Sequence, residues 1–373
     1  MSSVLTQLQR RVEPALPGRD YHDSGVFELE RRRIFHRKWF CVGREEQAPL
    51  RGDFFVIDVI DESILVVRGD DLVLRAFYNV CRHRGSELCE GTGQFKSVIK
   101  CPYHSWCYAL DGRLVGTPNV GRDEGLDRQS YGLHPVALET WEGFVFVNLG
   151  TESGSLLASL REEIDEPLSY ERYRMAELTV GRRIVYDVRA NWKILIDNFN
   201  ECLHCPGIHP ELAKIVPIYR KGMVIEERED GGTGVRLAEG ARTFSFDGTS
   251  SLPVFPGLSE EDIGMYYGFT AFPNLLVNLL SDTVMTYLLL PSAPDRTRVV
   301  SEYLFRPEVA SRADFDPSPV VSFLDLVSRQ DWAVCERAQR GVRSRAFDRG
   351  VLPWNDRLLH VFAQRYLRER DGE

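Results

Sequence analysis

Two short stretches of this chain each offer one thiol and one imidazole. Cys81-Arg82-His83 is followed, after 17 residues, by Cys101-Pro102-Tyr103-His104. Two such turns at the tips of neighbouring hairpins can converge on one metal centre. Structural zinc is the plain reading, because two cysteines and two histidines make a common tetrahedral set. Zinc sites, however, usually pair Cys with Cys and His with His at short spacing, whereas here each half is mixed. A two-iron, two-sulfide cluster held by two cysteines on one iron and two histidines on the other suits a mixed pair of loops. Cys89 and Cys107 lie close by but fall outside the pattern, and they read as ordinary small apolar residues.

A second constellation begins at Asn191-Trp192-Lys193 and runs through Asp197-Asn198-Phe199-Asn200-Glu201-Cys202-Leu203-His204 to His209. An uninterrupted helix would turn through about 500° between His204 and His209. Pro206 and Gly207 break the helix between them and let His209 swing back toward His204. Two imidazoles and one carboxylate on one face of an iron leave positions open for O2 and water. The competing reading is a pair of satisfied core histidines. The third ligand must come from elsewhere, and Asp331 is a candidate with Asp325 and Glu336 as rivals. Helical spacing puts Asp331, Val334, Cys335 and Ala338 on one inward stripe, where an unpaired acid is costly.

The elements that must position these residues can be read from periodicity. Phe27, Ile34, Phe35 and Trp39 stand at helical spacing within an otherwise charged N-terminal segment. From about Trp39 to Leu149 short β-type runs alternate with Gly and Asp turns: DFFVIDV, SILVVRGDD, LRAFYNV, SVIKCPY and FVFVNL, the last after a Trp-Glu-Gly turn. This pattern predicts a small antiparallel β domain. After Gly150, TESGSLLASLREEIDEPLSY reads as a linker and an amphipathic helix. A strand at RRIVYDV, a helix over NWKILIDNFNECLH, and an irregular stretch from about 220 to 262 follow. Strands at LLVNLL, TVMTYLLLP and TRVVSEYLF come next, with helices from about Val320 onward. The overall class is α+β in two domains.

Bulk properties exclude several alternatives. With 373 residues, 43% hydrophobic and 27% charged, the chain has the composition of an ordinary globular protein of about two domains. The net charge of −9 argues against a nucleic-acid partner, which needs clustered Lys and Arg. Apolar runs are broken within about a dozen residues, short of the roughly 20 of a membrane span. The start MSSVLTQLQRRVEP has no apolar signal core, so a cytoplasmic location is expected. Eight cysteines in such a chain are not expected to form a disulfide framework.

Flanking residues sharpen both sites. Cys81-Arg82-His83-Arg84-Gly85 and Cys101-Pro102-Tyr103-His104-Ser105-Trp106, with Gly112, resemble the paired loops of Rieske proteins. The N-terminal Tyr21…Phe27-Glu28…Glu30…Ile34-Phe35…Trp39, the stretch Asn191-Trp192-Lys193…Asp197-Asn198-Phe199…His204…His209-Pro210, and Gln330-Asp331…Cys335-Glu336…Gln339…Gly341 complete the pattern. In this order they resemble the catalytic α subunits of Rieske non-haem iron oxygenases over nearly the whole chain. The resemblance implies an N-terminal segment over 1–41 packing on the catalytic domain and a Rieske domain over 42–149. A helix-grip catalytic domain, an antiparallel sheet with helices, would fill 150–373. It implies a [2Fe–2S] cluster on Cys81, His83, Cys101 and His104, and a mononuclear Fe(II) on His204, His209 and Asp331. Similar proteins are trimers in which electrons cross from one subunit's cluster to the next subunit's iron through an acidic residue, here Glu201.

The chain departs from the commoner pattern in having Glu201 where Asp is usual and Leu203 where Tyr is frequent. The run from Glu201 to Leu212 looks closest to the branch acting on quaternary ammonium compounds such as glycine betaine or carnitine. That implies N-demethylation or hydroxylation of a small methylated amine with O2. Hydroxylation of an aromatic acid and an electron-carrier role without oxygenase activity are the alternatives. No G-x-G-x-x-G fingerprint opens a βαβ unit, so NAD(P)H and flavin are expected on a partner reductase, with or without a ferredoxin. The aromatic run Tyr266-Tyr267-Gly268-Phe269-Thr270-Ala271-Phe272, with Tyr287, is expected either as sheet core or as a cage for a methylated ammonium ion.

Overall fold

The computed structural model describes residues 11–121, 124–151, 153–162, 164, 167–224 and 234–372. Residues 1–10, where the missing signal core was partly read, lie outside these, as do parts of the stretches after Gly150 and between 220 and 262. The chain forms two compact units: one over Phe35–Leu156, the other joining the segment that ends at Ile34 to the one that begins at Leu157.

The smaller unit is all β. Its seven-stranded antiparallel sheet runs in the spatial order Phe40–Arg44, Phe144–Asn148, Pro135–Trp141, Leu74–Tyr78, Glu62–Arg68, Asp53–Val59, Thr92–Gln94. A three-stranded sheet of Ile99–Lys100, Cys107–Tyr108 and Leu114–Gly116 carries the second Cys–His loop. Glu142 and Gly143 both have positive φ, at 49° and 77°, the two-residue turn whose twist suits a tight hairpin. Phe54, Leu65, Phe77, Trp106, Tyr108 and Leu110 pack into the core beneath the loops.

The larger unit wraps a six-stranded antiparallel sheet around a long helix. The strand order is Thr179–Val188, Arg296–Phe305, Val284–Ala293, Leu275–Leu279, Met265–Ala271, Val235–Arg236. The helix Ser318–Val342 buries Val320, Phe323, Leu324, Val327, Ser328, Trp332, Cys335 and Gln339. The inward stripe therefore runs through Trp332 and Gln339, and Ala338, expected on it, is exposed. The stripe is tied to the sheet through hydroxyls: Tyr287 pairs with Ser328 at 2.6 Å, and Tyr186 donates to Asp325 at 2.5 Å. The expected α+β class with an antiparallel sheet gripping a helix is what the chain forms.

The helix expected over residues 191–204 stops at Phe199. Asn191 caps it by accepting from the Lys193 amide at 3.0 Å, and Gln339 accepts from the Asn191 amide at 2.7 Å. Trp192 and Lys193 reach into the core, where Glu30 accepts from Trp192 Nε1 at 2.9 Å, Lys193 Nζ at 2.5 Å and the Tyr366 hydroxyl at 2.7 Å. The Asn-Trp-Lys motif is thus a fastening: it fixes the direction in which the helix delivers residues 197–204. The pairing of Glu13–Pro17 with Arg349–Leu352 was not read from the sequence.

No helix among the described residues is long and apolar enough to cross a membrane.

Candidate metal centres

The two Cys–His loops share one backbone closure. The Cys81 amide donates to Ser86 O at 2.8 Å and the Gly85 amide to Cys81 O at 3.0 Å. In the other loop the Cys101 amide donates to Trp106 O at 2.8 Å and the Ser105 amide to Cys101 O at 3.1 Å. Each loop turns on a left-handed residue, Gly85 at φ 72° and Ser105 at φ 59°. Glycine adopts that conformation freely, whereas for serine it costs energy that the surrounding contacts must supply. The histidines leave their loops at different positions, third and fourth, which explains the unequal C-x-H and C-x2-H spacings. Their rings nevertheless meet at 4.8 Å.

The donors fit a two-iron cluster. Cys81 and Cys101 are both free and buried beneath the loops, and His83 Nδ1 is buried with no hydrogen-bond partner. A buried orphan of this kind calls for a ligand. Trp106 stacks on His83 at 4.7 Å and fixes the ring's plane. Tyr108 places its hydroxyl 3.3 Å from Cys81 Sγ while accepting from the Arg82 amide at 3.0 Å, so it orients one sulfur. Burial pushes the Cys81 thiol up, and Tyr108 opposes that shift. Cys89 and Cys107 are free, and their thiols make long contacts with Asn79 Oδ1 and Ser105 O.

At the second site the chain brings His204, His209 and Asp331 together, each offering one ligand atom within 4.8 Å of the others. Asp331 Oδ1 stands 3.3 Å from His204 Nε2 and 2.8 Å from His209 Nε2. Ligands about 2.1 Å from a shared octahedral ion are about 3 Å apart, so the set fits one ion. Each imidazole is oriented from behind: Glu201 Oε1 holds His204 Nδ1, and Gln330 Oε1 holds His209 Nδ1 at 2.7 Å. Such partners fix the tautomer and aim the opposite nitrogen at the metal.

Electrostatics agree with this geometry. Burial alone would lower His204, but Asp331 and Glu201 outweigh it and lift the imidazole to about 9. Burial would raise Asp331, yet its hydrogen bonds to His204 and His209 hold the carboxyl below the ordinary value. Both shifts come from carboxylates facing imidazoles, a field that favours a cation.

The rivals for the third ligand are engaged elsewhere: Asp325 with Tyr186 and Arg329, Glu336 with Arg189. Pro206 does not break a continuing helix. The chain is irregular from Asn200 to His204, and Pro206 lies in the first turn of the short helix Cys205–Ile208, where its missing amide is tolerated. That turn, with the Cys205 O to His209 amide bond of 2.9 Å, returns His209 to the site.

The aromatic run is divided between the two faces of its sheet. On the strand Met265–Ala271 Tyr266 and Tyr267 face opposite sides of the sheet. Tyr266 donates to Asn278, Tyr267 to Asp262, Phe269 stacks on Tyr170, and Phe272 packs on Trp192. Tyr266, Phe269 and Phe272 are buried, while Tyr267 is half-buried with the Arg172 guanidinium over its ring.

Sequence reasoning assigned no role to Gln330, Tyr108 or Tyr21, whose hydroxyl donates to Asp197 at 2.8 Å. Their only sequence signal was proximity to a ligand or membership of a motif. It also missed the disulfide between Cys202 and Cys205 that straddles His204.

Comparison with known proteins covers both units. Residues 38–141 match the Rieske [2Fe-2S] domain, and residues 175–371 match the catalytic domain of the ring-hydroxylating α subunit. The glycine betaine monooxygenase oxygenase subunit of Chromohalobacter salexigens is 31% identical, over 92% of this chain and 82% of its own length. The carnitine monooxygenase oxygenase subunit of Acinetobacter pittii is 30% identical, over 88% and 85%. A solved quaternary ammonium Rieske monooxygenase superposes with a TM-score of 0.79 at 27% identity and 98% coverage of both chains.

Proposed function

Since the chain belongs to the family of Rieske-type ring-hydroxylating oxygenase α subunits, we propose that it is the oxygenase component of a quaternary ammonium monooxygenase. The observation that carries this reading is likeness along nearly the whole chain to glycine betaine and carnitine monooxygenases. Membership of an oxygenase family, with a matched catalytic domain, leaves no place for the bare electron carrier or the structural zinc site. The relatives point away from an aromatic acid as substrate.

The family's cofactors are a [2Fe–2S] cluster and a mononuclear iron, with electrons supplied by a partner reductase. We assign the cluster to Cys81, His83, Cys101 and His104, and the iron to His204, His209 and Asp331. When bound, the iron supplies the O2 chemistry, and the cluster supplies its electrons one at a time. The chain's own residues hold that site in register. Glu201 and Gln330 each fix one imidazole by its Nδ1, so both Nε2 atoms and the Asp331 carboxylate meet on one side. Glu201 also lies within hydrogen-bond reach of the Leu203 and His204 amides, which anchor its carboxylate. So anchored, it serves as the path for electrons arriving from the neighbouring subunit of a homotrimer in the cytoplasm.

For a methylated ammonium ion, the overall reaction takes up one O2, two electrons and two protons. It yields the N-hydroxymethyl ammonium ion, with its positive charge unchanged, and one water. The hydroxylated carbon then leaves as formaldehyde, with release of the tertiary amine and a proton. Hydroxylation at a chain carbon beside nitrogen would instead split off trimethylamine and an aldehyde.

The test is O2 uptake by protein loaded with Fe(II) and given NADH and a surrogate reductase. Glycine betaine, carnitine, choline and proline betaine are compared with benzoate-type acids, with formaldehyde and trimethylamine both quantified. One carbonyl product per O2 on an amine, lost in His204→Ala, is the expected result. A hydroxylated aromatic product with no amine turnover would reject the substrate assignment.

A further inference from the structure

Eight cysteines occupy this chain, and only Cys202 and Cys205 among the described residues are joined. The link spans a sequence separation of 3. Disulfides stabilise chiefly by restricting the unfolded chain, and the shortest loops yield the least. Overall stability is therefore a weak reason for this one. Its place is more telling, because His204 sits inside the closed loop. Cys205 Sγ is 3.8 Å from His204 Nε2, the nitrogen turned toward Asp331. A thiolate and an imidazole on one tetrahedral ion, at about 2.3 and 2.1 Å, stand about 3.6 Å apart. The sulfur therefore lies at the spacing of a further ligand. Oxidised, it has no thiol to offer a metal; reduced, it has one that can ligate on losing its proton.

We propose that Cys202 and Cys205 form a redox-active dithiol/disulfide couple that decides whether a sulfur donor joins the His204 metal site. The disulfide keeps the site to two nitrogens and one carboxylate. Reduction by a thiol, Cys202–S–S–Cys205 + 2 RSH → two cysteine thiols + RSSR, releases Cys205. On binding the metal the Cys205 thiol would release its proton to solvent, and the thiolate would shift preference from ferrous iron toward zinc, which takes sulfur readily. Re-oxidation needs a two-electron oxidant such as hydrogen peroxide, which forms when O2 takes up two electrons and two protons without oxidising substrate. Peroxide and two thiols give the disulfide and two waters. Both cysteines are buried, while their sequence neighbours Leu203, Pro206 and Gly207 are exposed, so the pair lies next to the surface along the chain.

The inference rests on the assignment of the mononuclear metal to His204, and the experiment separates the two. Cluster-loaded protein stripped of mononuclear metal is prepared after peroxide and, separately, after phosphine reduction followed by desalting. Peptide mass spectrometry after alkylation scores Cys202 and Cys205 in each. Co(II) is then added, and absorption at the cobalt edge, which the cluster's iron does not affect, reports its ligands. The expected result is a protected pair and only nitrogen and oxygen neighbours in the oxidised protein. The reduced protein should show alkylated cysteines and one sulfur at about 2.3 Å. Reduced Cys205→Ser should lose that sulfur, while reduced Cys202→Ser should keep it. Cysteines that alkylate fully after peroxide, or reduced protein without a sulfur neighbour, would overturn the proposal while leaving the iron site standing. Failure of both forms to bind Co(II) would overturn the metal assignment and the proposal with it.

Discussion

Glu30 ties three separate parts of the larger unit together, and its removal has a calculable cost. Its side chain and that of Lys193 are both 0% exposed, and the carboxylate accepts from Lys193, Trp192 and Tyr366. Glu30→Gln keeps the volume but turns one acceptor into a donor and leaves the Lys193 charge buried without its counterion. Breaking a buried pair from one side costs about 3–5 kcal/mol. For a unit of about 250 residues that is a fall in Tm of about 6–20 °C. The assay is thermal unfolding of the full chain by far-UV circular dichroism, with the cluster's visible absorption as a separate probe of the Rieske unit. Glu30→Gln combined with Lys193→Met should recover part of the loss, because an apolar pair of similar volume carries no desolvation cost. Burial holds Lys193 below its ordinary value. In Glu30→Gln the unfolded chain therefore binds the extra proton, and stability should rise with pH between the folded and unfolded pKa. A loss under about 1 kcal/mol, or a double variant no better than the single one, would refute the reasoning.

Asp197 offers a pH test with the opposite sign: burial raises its carboxyl to about 7, against the hydrogen bond from Tyr21 and the charge of Lys193 and with help from Glu201. The folded chain holds this proton and the unfolded chain does not between about pH 4 and 7, so wild type should lose stability relative to Asp197→Asn across that window, read from urea midpoints at its two ends. Glu201→Gln keeps a hydrogen-bond acceptor for His204 Nδ1 but not the charge, and should lower metal affinity or single-turnover oxidation of the reduced cluster by about 10–100-fold. A change under about twofold in both would remove Glu201 from its assigned role.

What could be read from the sequence was whatever its local pattern encodes. The Cys81 and Cys101 loops were recognisable because each packs thiol, imidazole and turn residue into five positions. The antiparallel strands were recognisable because alternation and turn residues sit together. The partners of Glu30, 162, 163 and 336 positions away, had no local signature, and neither did the pairing of Glu13–Pro17 with Arg349–Leu352.

Where local pattern and structure differ, one physical cause recurs. The composition of residues 191–204 suits a helix throughout. The helix ends at Phe199 because Glu201 turns its carboxylate back onto the Leu203 and His204 amides, supplying to that turn the bonds a helix would have made. The aromatic run was open to either reading, cage or sheet core, and alternation along the strand sends its neighbours to opposite faces. In each case the side chain's direction decided the outcome, and direction is a property of tertiary packing. The same holds for Cys202 and Cys205. Their spacing of three was visible from the start, but its meaning depends on a sulfur lying 3.8 Å from the nitrogen of His204 that faces Asp331.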